Sequence, residues 1–265
     1  MNKIIAEFTG RETAADEICL CRLGQHSFLL KINGVMIAFD PYLSADGNRL
    51  IPPLIAADEF CSMDIICCSH DHGDHLDRPV LAAMAAASPR AVFVLPRAIQ
   101  KTVTEIPADR IWGMNDGETK SFHGITIRAV AAAHEFLDRG ADGLYPYLGF
   151  VVSAPFCSVY HSGDCCVYDG LLGKVSDPAP DLMLLPINGR DAVRLRNNCI
   201  GNMTWQEAAD LAGWSGTRMV IPAHYDMFDG NLADPSGFLD YVSVKYPEMQ
   251  SRLLAPGEVV CLKLR

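Results

Sequence analysis

His70-Asp71-His72-Gly73-Asp74-His75 packs three imidazoles and the Asp74 carboxylate into six residues. The run follows a short apolar stretch, residues 64–68, that reads as a strand. It precedes Asp77-Arg78-Pro79, which opens a helix with Asp77 as N-cap and Pro79 in the first turn. The motif is therefore a loop at the C-terminal end of a strand, where α/β folds place their chemistry. Imidazole and carboxylate together suit Zn²⁺, or Mn²⁺ and Fe²⁺ with less nitrogen preference. No cysteine lies in the run, so a closed structural zinc finger does not fit, and an open, catalytic ion site does.

Further ligand types recur with the same grammar, a strand and then a polar group. His134 follows Ala129-Val130-Ala131-Ala132-Ala133. Asp164 ends His161-Ser162-Gly163-Asp164, after a strand at 158–160, and His224 ends Ile221-Pro222-Ala223-His224. Residues 19–23, 27–32 and 35–39 also read as strands, with Asn33-Gly34 as a type I′ hairpin turn. Strands are expected at 91–95, 125–132, 149–152, 158–161, 182–186, 219–222 and 258–264. Thr204-Trp205-Gln206-Glu207 is a capping box opening a helix to about Gly213, and a last helix is expected at 235–244. Hairpins mixed with strand–helix alternation predict helices layered on both sides of sheets. No internal repeat or low-complexity linker interrupts the chain, which is read as one domain over 1–265.

Hydrophobic residues make up 49% of the 265 residues and charged residues 20%, enough to bury a sizeable core. The net charge of −10 and the lack of a basic run exclude a general nucleic-acid role, because phosphate neutralisation supplies most of that affinity. No apolar run approaches the roughly 20 residues needed to span a bilayer, so no membrane partner is expected. Met1-Asn2-Lys3-Ile4-Ile5-Ala6-Glu7 turns polar too early for a secretory signal, and the expectation is a soluble, cytoplasmic protein. In that compartment the ten cysteines are expected as free, buried small hydrophobes. Cys165 and Cys166 are singled out because they follow Asp164.

The set resembles the metallo-β-lactamase superfamily. His70 to His75 is its HxHxDH motif, and His134, Asp164 and His224 match its later motifs. Asp40, in Phe39-Asp40-Pro41, resembles its first-motif Asp. The resemblance implies an α/β fold, a four-layer αββα sandwich of two mixed β-sheets with metals at one edge. It implies that His70, His72 and His134 hold one metal, that Asp74, His75 and His224 hold a second, and that Asp164 bridges them. A hydroxide held there would be the nucleophile, with Asp74 as the catalytic residue orienting it.

Finer runs resemble the L-ascorbate-6-phosphate lactonase-like (UlaG-like) branch: Leu23-Gly24-Gln25-His26-Ser27, Pro186-Ile187-Asn188-Gly189-Arg190, Gly201-Asn202-Met203-Thr204 and His224-Tyr225-Asp226-Met227-Phe228. That implies a metal-dependent hydrolase with one or two divalent ions, Zn or Mn, acting as a lactonase on a sugar acid or sugar phosphate. The expected partner is a small anionic molecule. Arg190 beside Asn188 is the candidate phosphate contact, the alternative being a solvated loop face or a contact in a homo-oligomer. His26 and His161 are expected to orient ligands, or His26 to satisfy backbone groups, and Tyr225 to line the pocket. The competing functions are a phosphodiesterase of the ribonuclease Z or phospholipase D type and a non-enzymatic metal-binding relative.

Overall fold

The computed structural model describes residues 2–264; the terminal residues of the expected 1–265 domain lie outside them. The chain runs α1 (Lys3–Gly10), β1 (Glu17–Gly24), β2 (Ser27–Ile32), β3 (Val35–Phe39), β4 (Ile65–Cys67), α2 (Arg78–Ala87), β5 (Val92–Pro96), β6 (Ile111–Met114), β7 (Thr119–Phe122) and β8 (Ile125–Ala131). It continues through β9 (Leu148–Ser153), β10 (Ser158–His161), α3 (Leu171–Ser176), β11 (Leu182–Pro186), α4 (Ala192–Arg196), α5 (Trp205–Ser215), β12 (Met219–Ala223), α6 (Ser236–Lys245), β13 (Gln250–Ser251) and β14 (Val259–Lys263).

The strands form two seven-stranded sheets, ordered β14-β1-β2-β3-β4-β5-β6 and β13-β12-β11-β10-β9-β8-β7. Each is antiparallel in one part and parallel in the other: β3 to β6 pair in parallel, as do β10 to β13. Side chains alternate across a strand, so the apolar runs feed two cores each. Ile18 and Leu20 of β1 face the space between the sheets, with Leu182 and Leu184 of β11. Cys19 and Cys21 face outward onto Ile5 and Phe8 of α1 and Leu81 and Met84 of α2. Met183 and Leu185 face the other way, onto Leu171 of α3, Leu211 of α5 and Phe238 of α6. The result is the four-layer αββα sandwich expected from the resemblance. Among the described residues no helix is long and apolar enough to cross a membrane.

Local chemistry agrees at several joints. Asn33 and Gly34 both have positive φ, 50° and 76°, as a type I′ turn requires. Thr204 and Glu207 form the reciprocal capping box at α5. Three expectations change. Asp77 precedes α2 but does not cap it; its carboxylate accepts from the Leu43 and Ser44 amides and the Ser44 hydroxyl, tying the loop after β3 to the histidine loop. Cys19 and Cys261, expected as free thiols, are opposed across the β1–β14 pair and joined as a disulfide. Short or exposed elements such as β7 and β13 escape sequence reading because they bury too little to leave a hydrophobic pattern.

Candidate metal centre

The parallel register points several strand ends to one edge of the sandwich. Asp40 follows β3, His70 to His75 follow β4, His134 follows β8, Asp164 follows β10 and His224 follows β12. Two tight backbone positions make this convergence possible. Gly163 has φ +59°, and a Cβ there would stand 2.6 Å from that of Ser69, so only glycine lets the Asp164 turn sit on the histidine loop. His224 itself has φ 58°, held by its amide bonding to the Gln25 carbonyl at 2.9 Å.

One cluster comprises His70 Nε2, His72 Nδ1 and His134 Nε2, with His72 Nδ1 standing 3.0 Å from the first and 3.2 Å from the last. Three nitrogens held about 2.0–2.1 Å from one ion at ordinary coordination angles stand roughly 2.9–3.4 Å apart. Burial pushes the pKa of His70 well down and that of His134 down to about 4, so both are neutral imidazoles with lone pairs to offer. This donor set fits a divalent ion.

A second cluster comprises Asp74, His75 and His224. Asp74 Oδ2 lies 3.5 Å from His75 Nε2 and 3.7 Å from His224 Nε2. Asp164 stands between the clusters, with Oδ1 at 3.3 Å from His75 Nε2 and 3.2 Å from His224 Nε2, and Oδ2 at 3.7 Å from His134 Nε2. His75 Nε2 and Asp164 Oδ1 are buried and make no hydrogen bond. Burial disfavours the charge on His75, but Asp164, Asp74 and Asp40 outweigh it and raise its pKa well above the ordinary value. Burial likewise works against the Asp164 carboxylate, yet His224 and His75 hold it far below the usual range.

Behind both clusters lies a carboxylate that orients them. Asp40 Oδ2 accepts from His75 Nδ1 at 2.7 Å and from Ser69 Oγ at 2.7 Å, while Oδ1 accepts from the Ser69 amide at 2.7 Å. Having donated its one proton to Asp40, the Ser69 hydroxyl is left to accept from His70 Nδ1 at 2.9 Å. A single buried carboxylate thus sets which way Nε2 of one histidine in each cluster points, toward the cavity. Ser69→Ala is expected to weaken divalent-ion affinity about tenfold with little change in fold, read by isothermal titration with Zn²⁺.

The other expected groups separate. His26 is fully buried, its Nδ1 4.0 Å from Asp164 Oδ1, and burial lowers its pKa to about 4. His161 donates to the His26 carbonyl at 2.8 Å and accepts from the Gly163 amide at 3.2 Å, and its ring stacks on Phe39. Both its nitrogens serve the backbone, so it holds the Asp164 turn from behind. Arg190 lies outside the ion cleft: it makes two 2.7 Å bonds to Glu207 and lines a neighbouring groove with Asn188. Tyr225 is also outside the cleft, packed in the outer core under the Arg22 guanidinium. Cys165 and Cys166 are buried, and burial raises both thiols, Cys165 to about 12, so neither offers a thiolate.

The cleft over the clusters encloses about 430 Å³, and His72, Asp74, His134, Asp164 and His224 are among its lining residues. Arg194, Ile200, Phe228 and Asn231 also line it, among others. Arg194 is committed, to Asp191, to Asn231 Oδ1 at 3.0 Å and to the Leu232 carbonyl at 2.8 Å. Asn188 Nδ2 also bonds Asn231 Oδ1, at 2.9 Å, which fixes that amide with its NH₂ as the remaining donor. Sequence reasoning missed Gln25, Ser69 and Asn231; the first two adjoin histidines it named, but amides and hydroxyls are too common to stand out.

A family model described as a beta-lactamase superfamily domain matches residues 36–225. A UPF0173 metal-dependent hydrolase of Pyrococcus furiosus is 31% identical over 242 residues, covering 89% of this chain and 96% of its own. Another from Caldivirga maquilingensis is 28% identical, covering 92% and 97%. Among solved structures, a metallo hydrolase from Ignicoccus hospitalis is similar with a TM-score of 0.75 at 22% identity, over 94% of this chain and all of that one. An isothiocyanate hydrolase from Delia radicum gut bacteria is similar with a TM-score of 0.71 at 15% identity, over 91% and 98%.

Proposed function

Because this chain belongs to the beta-lactamase superfamily, among the UPF0173 metal-dependent hydrolases, we propose that it opens small, uncharged lactones. The observation that carries this is the cleft itself. It is lined by ligand-type side chains, its one cation among the described lining residues is already paired, and Asn231 presents an amide donor. A phosphorylated sugar lactone would need an unpaired cation, and the candidate for that, Arg190, is held by Glu207. The same shortage of free cations disfavours a phosphodiester.

A divalent ion, zinc or manganese, held by His70, His72 and His134 with Asp164 alongside, would supply a Lewis acid and lower the pKa of water there. The remaining work belongs to protein groups. Asp74 faces the cleft as a carboxylate; burial opposes its charge, but His75 and His224 hold its pKa far below the usual value. It accepts a hydrogen bond from the attacking water and orients it, and relays the water's proton to the ring oxygen as the C–O bond breaks. Asn231 donates from Nδ2 to a substrate oxygen and sets its orientation. Phe228 and Ile200 give the cleft an apolar flank that suits a short carbon skeleton.

The test is a hydrolysis screen with ion-reconstituted protein against neutral lactones, their phosphorylated counterparts, bis-p-nitrophenyl phosphate and an acyl thioester. Turnover of neutral lactones above the others is expected, and turnover confined to the phosphodiester would overturn the reading. Full removal of the ion with EDTA is expected to abolish that activity, and Zn²⁺ or Mn²⁺ to restore it, measured on the same substrate.

A further inference from the structure

The second cluster contains a protein atom that the first does not. Gln25 sits on the irregular turn between β1 and β2, with φ 49°, and its side chain is buried. Its Nε2 lies 2.7 Å from Asp74 Oδ2 and 3.0 Å from His224 Nε2. An amide NH₂ is a donor, and the Asp74 carboxylate oxygen accepts from it. The 2.7 Å approach to a carboxylate oxygen fixes which end of the amide faces the cluster, since the carbonyl oxygen would be repelled there. Standing 2.7 Å from Asp74 Oδ2 and 3.0 Å from His224 Nε2, the amide nitrogen fills the space that an ion shared by those two atoms would need.

We propose that Gln25 closes the second cluster, its side-chain amide standing where a second cation would otherwise be shared by Asp74 and His224, so that the chain holds a single tightly bound ion at His70, His72 and His134. The inference rests on the metal-dependent reading above. It gives Asp74 a distinct position: tethered by an amide instead of an ion, it keeps its carboxylate free for the proton of the attacking water. It also makes Gln25 the residue that decides ion stoichiometry. Among the described residues nothing comparable enters the first cluster, where the three ring nitrogens face one another and Asp164 Oδ2 stands 3.7 Å from His134 Nε2.

The test counts ions without any substrate. The full chain is stripped with EDTA, titrated calorimetrically with Zn²⁺ and separately with Mn²⁺, desalted, and analysed for metal. Wild type is expected to retain one ion per chain. Gln25→Glu, which keeps the side-chain size and supplies an oxygen ligand, is expected to retain two. Gln25→Ala, which opens the space, is expected to take up a second, weaker ion. Two retained ions in wild type would overturn the role of Gln25 and leave the hydrolase reading standing. One ion in both variants, with wild-type circular dichroism, would also overturn it. If Gln25→Ala does not fold, the wild-type and Gln25→Glu counts decide the matter. No ion in wild type would overturn the metal-dependent reading itself.

Discussion

Asp74→Ala is expected to lower kcat by about 10²–10⁴-fold, the usual contribution of a positioned general base. Its carboxylate lines the cleft, 3.5 Å from His75 Nε2 and 3.7 Å from His224 Nε2, and Gln25 fixes it from a third side. It is not among the three imidazoles of the first cluster, so the ion bound there should be retained. The measurement is kcat and KM on the best substrate of the screen, with metal content determined on the same sample. Lost turnover with retained ion separates a role in proton transfer from a role in ion binding. Undiminished kcat would remove Asp74 from the chemistry.

Asp40→Ala should act differently, through both stability and ion affinity. The carboxylate is fully buried and accepts from the Ser69 amide, the Ser69 hydroxyl and His75 Nδ1. Breaking a buried, hydrogen-bonded charge network of this kind costs about 3–5 kcal/mol, read from denaturant unfolding of the ion-free protein. Both His75 and, through Ser69, His70 lose the partner that fixes their tautomer, so ion affinity is expected to fall about 10–100-fold. Asp40→Asn tests the same point with less loss of packing. Reduced stability with unchanged Zn²⁺ affinity would make Asp40 a purely structural group.

The two variants probe groups for which the motif set implies different roles, Asp74 as the catalytic residue and Asp40 as the first-motif Asp. Asp74 and Asp40 both follow strands, and both belong to the motif set. Only the folded chain shows that one faces the cleft and the other lies behind the histidines. His161 and His134, expected respectively to orient a ligand and to be one, also sit differently. Each ends a strand and each is buried, yet His161 gives both nitrogens to backbone groups while His134 Nε2 turns toward His72. Arg190 read as a substrate contact because it follows Asn188 in a loop rich in arginine. Its partner Glu207 is the residue that also closes the α5 capping box, and no spacing rule connects the two roles.

The sequence by itself determined the ligand chemistry and the layered architecture. Residue type decides what an atom can donate to an ion, and strand periodicity decides which runs must be buried on both faces. His70 to His75 after an apolar strand, and the paired faces of runs such as 182–186, carry that information locally. Tertiary structure alone decided which lone pairs meet. The orientation of a side chain depends on hydrogen-bond partners far along the chain, as when Asp40 turns His75 and Gln25 reaches Asp74 and His224. Such contacts leave no periodic trace, because a single amide or carboxylate in a turn looks the same whether it faces water or an ion site.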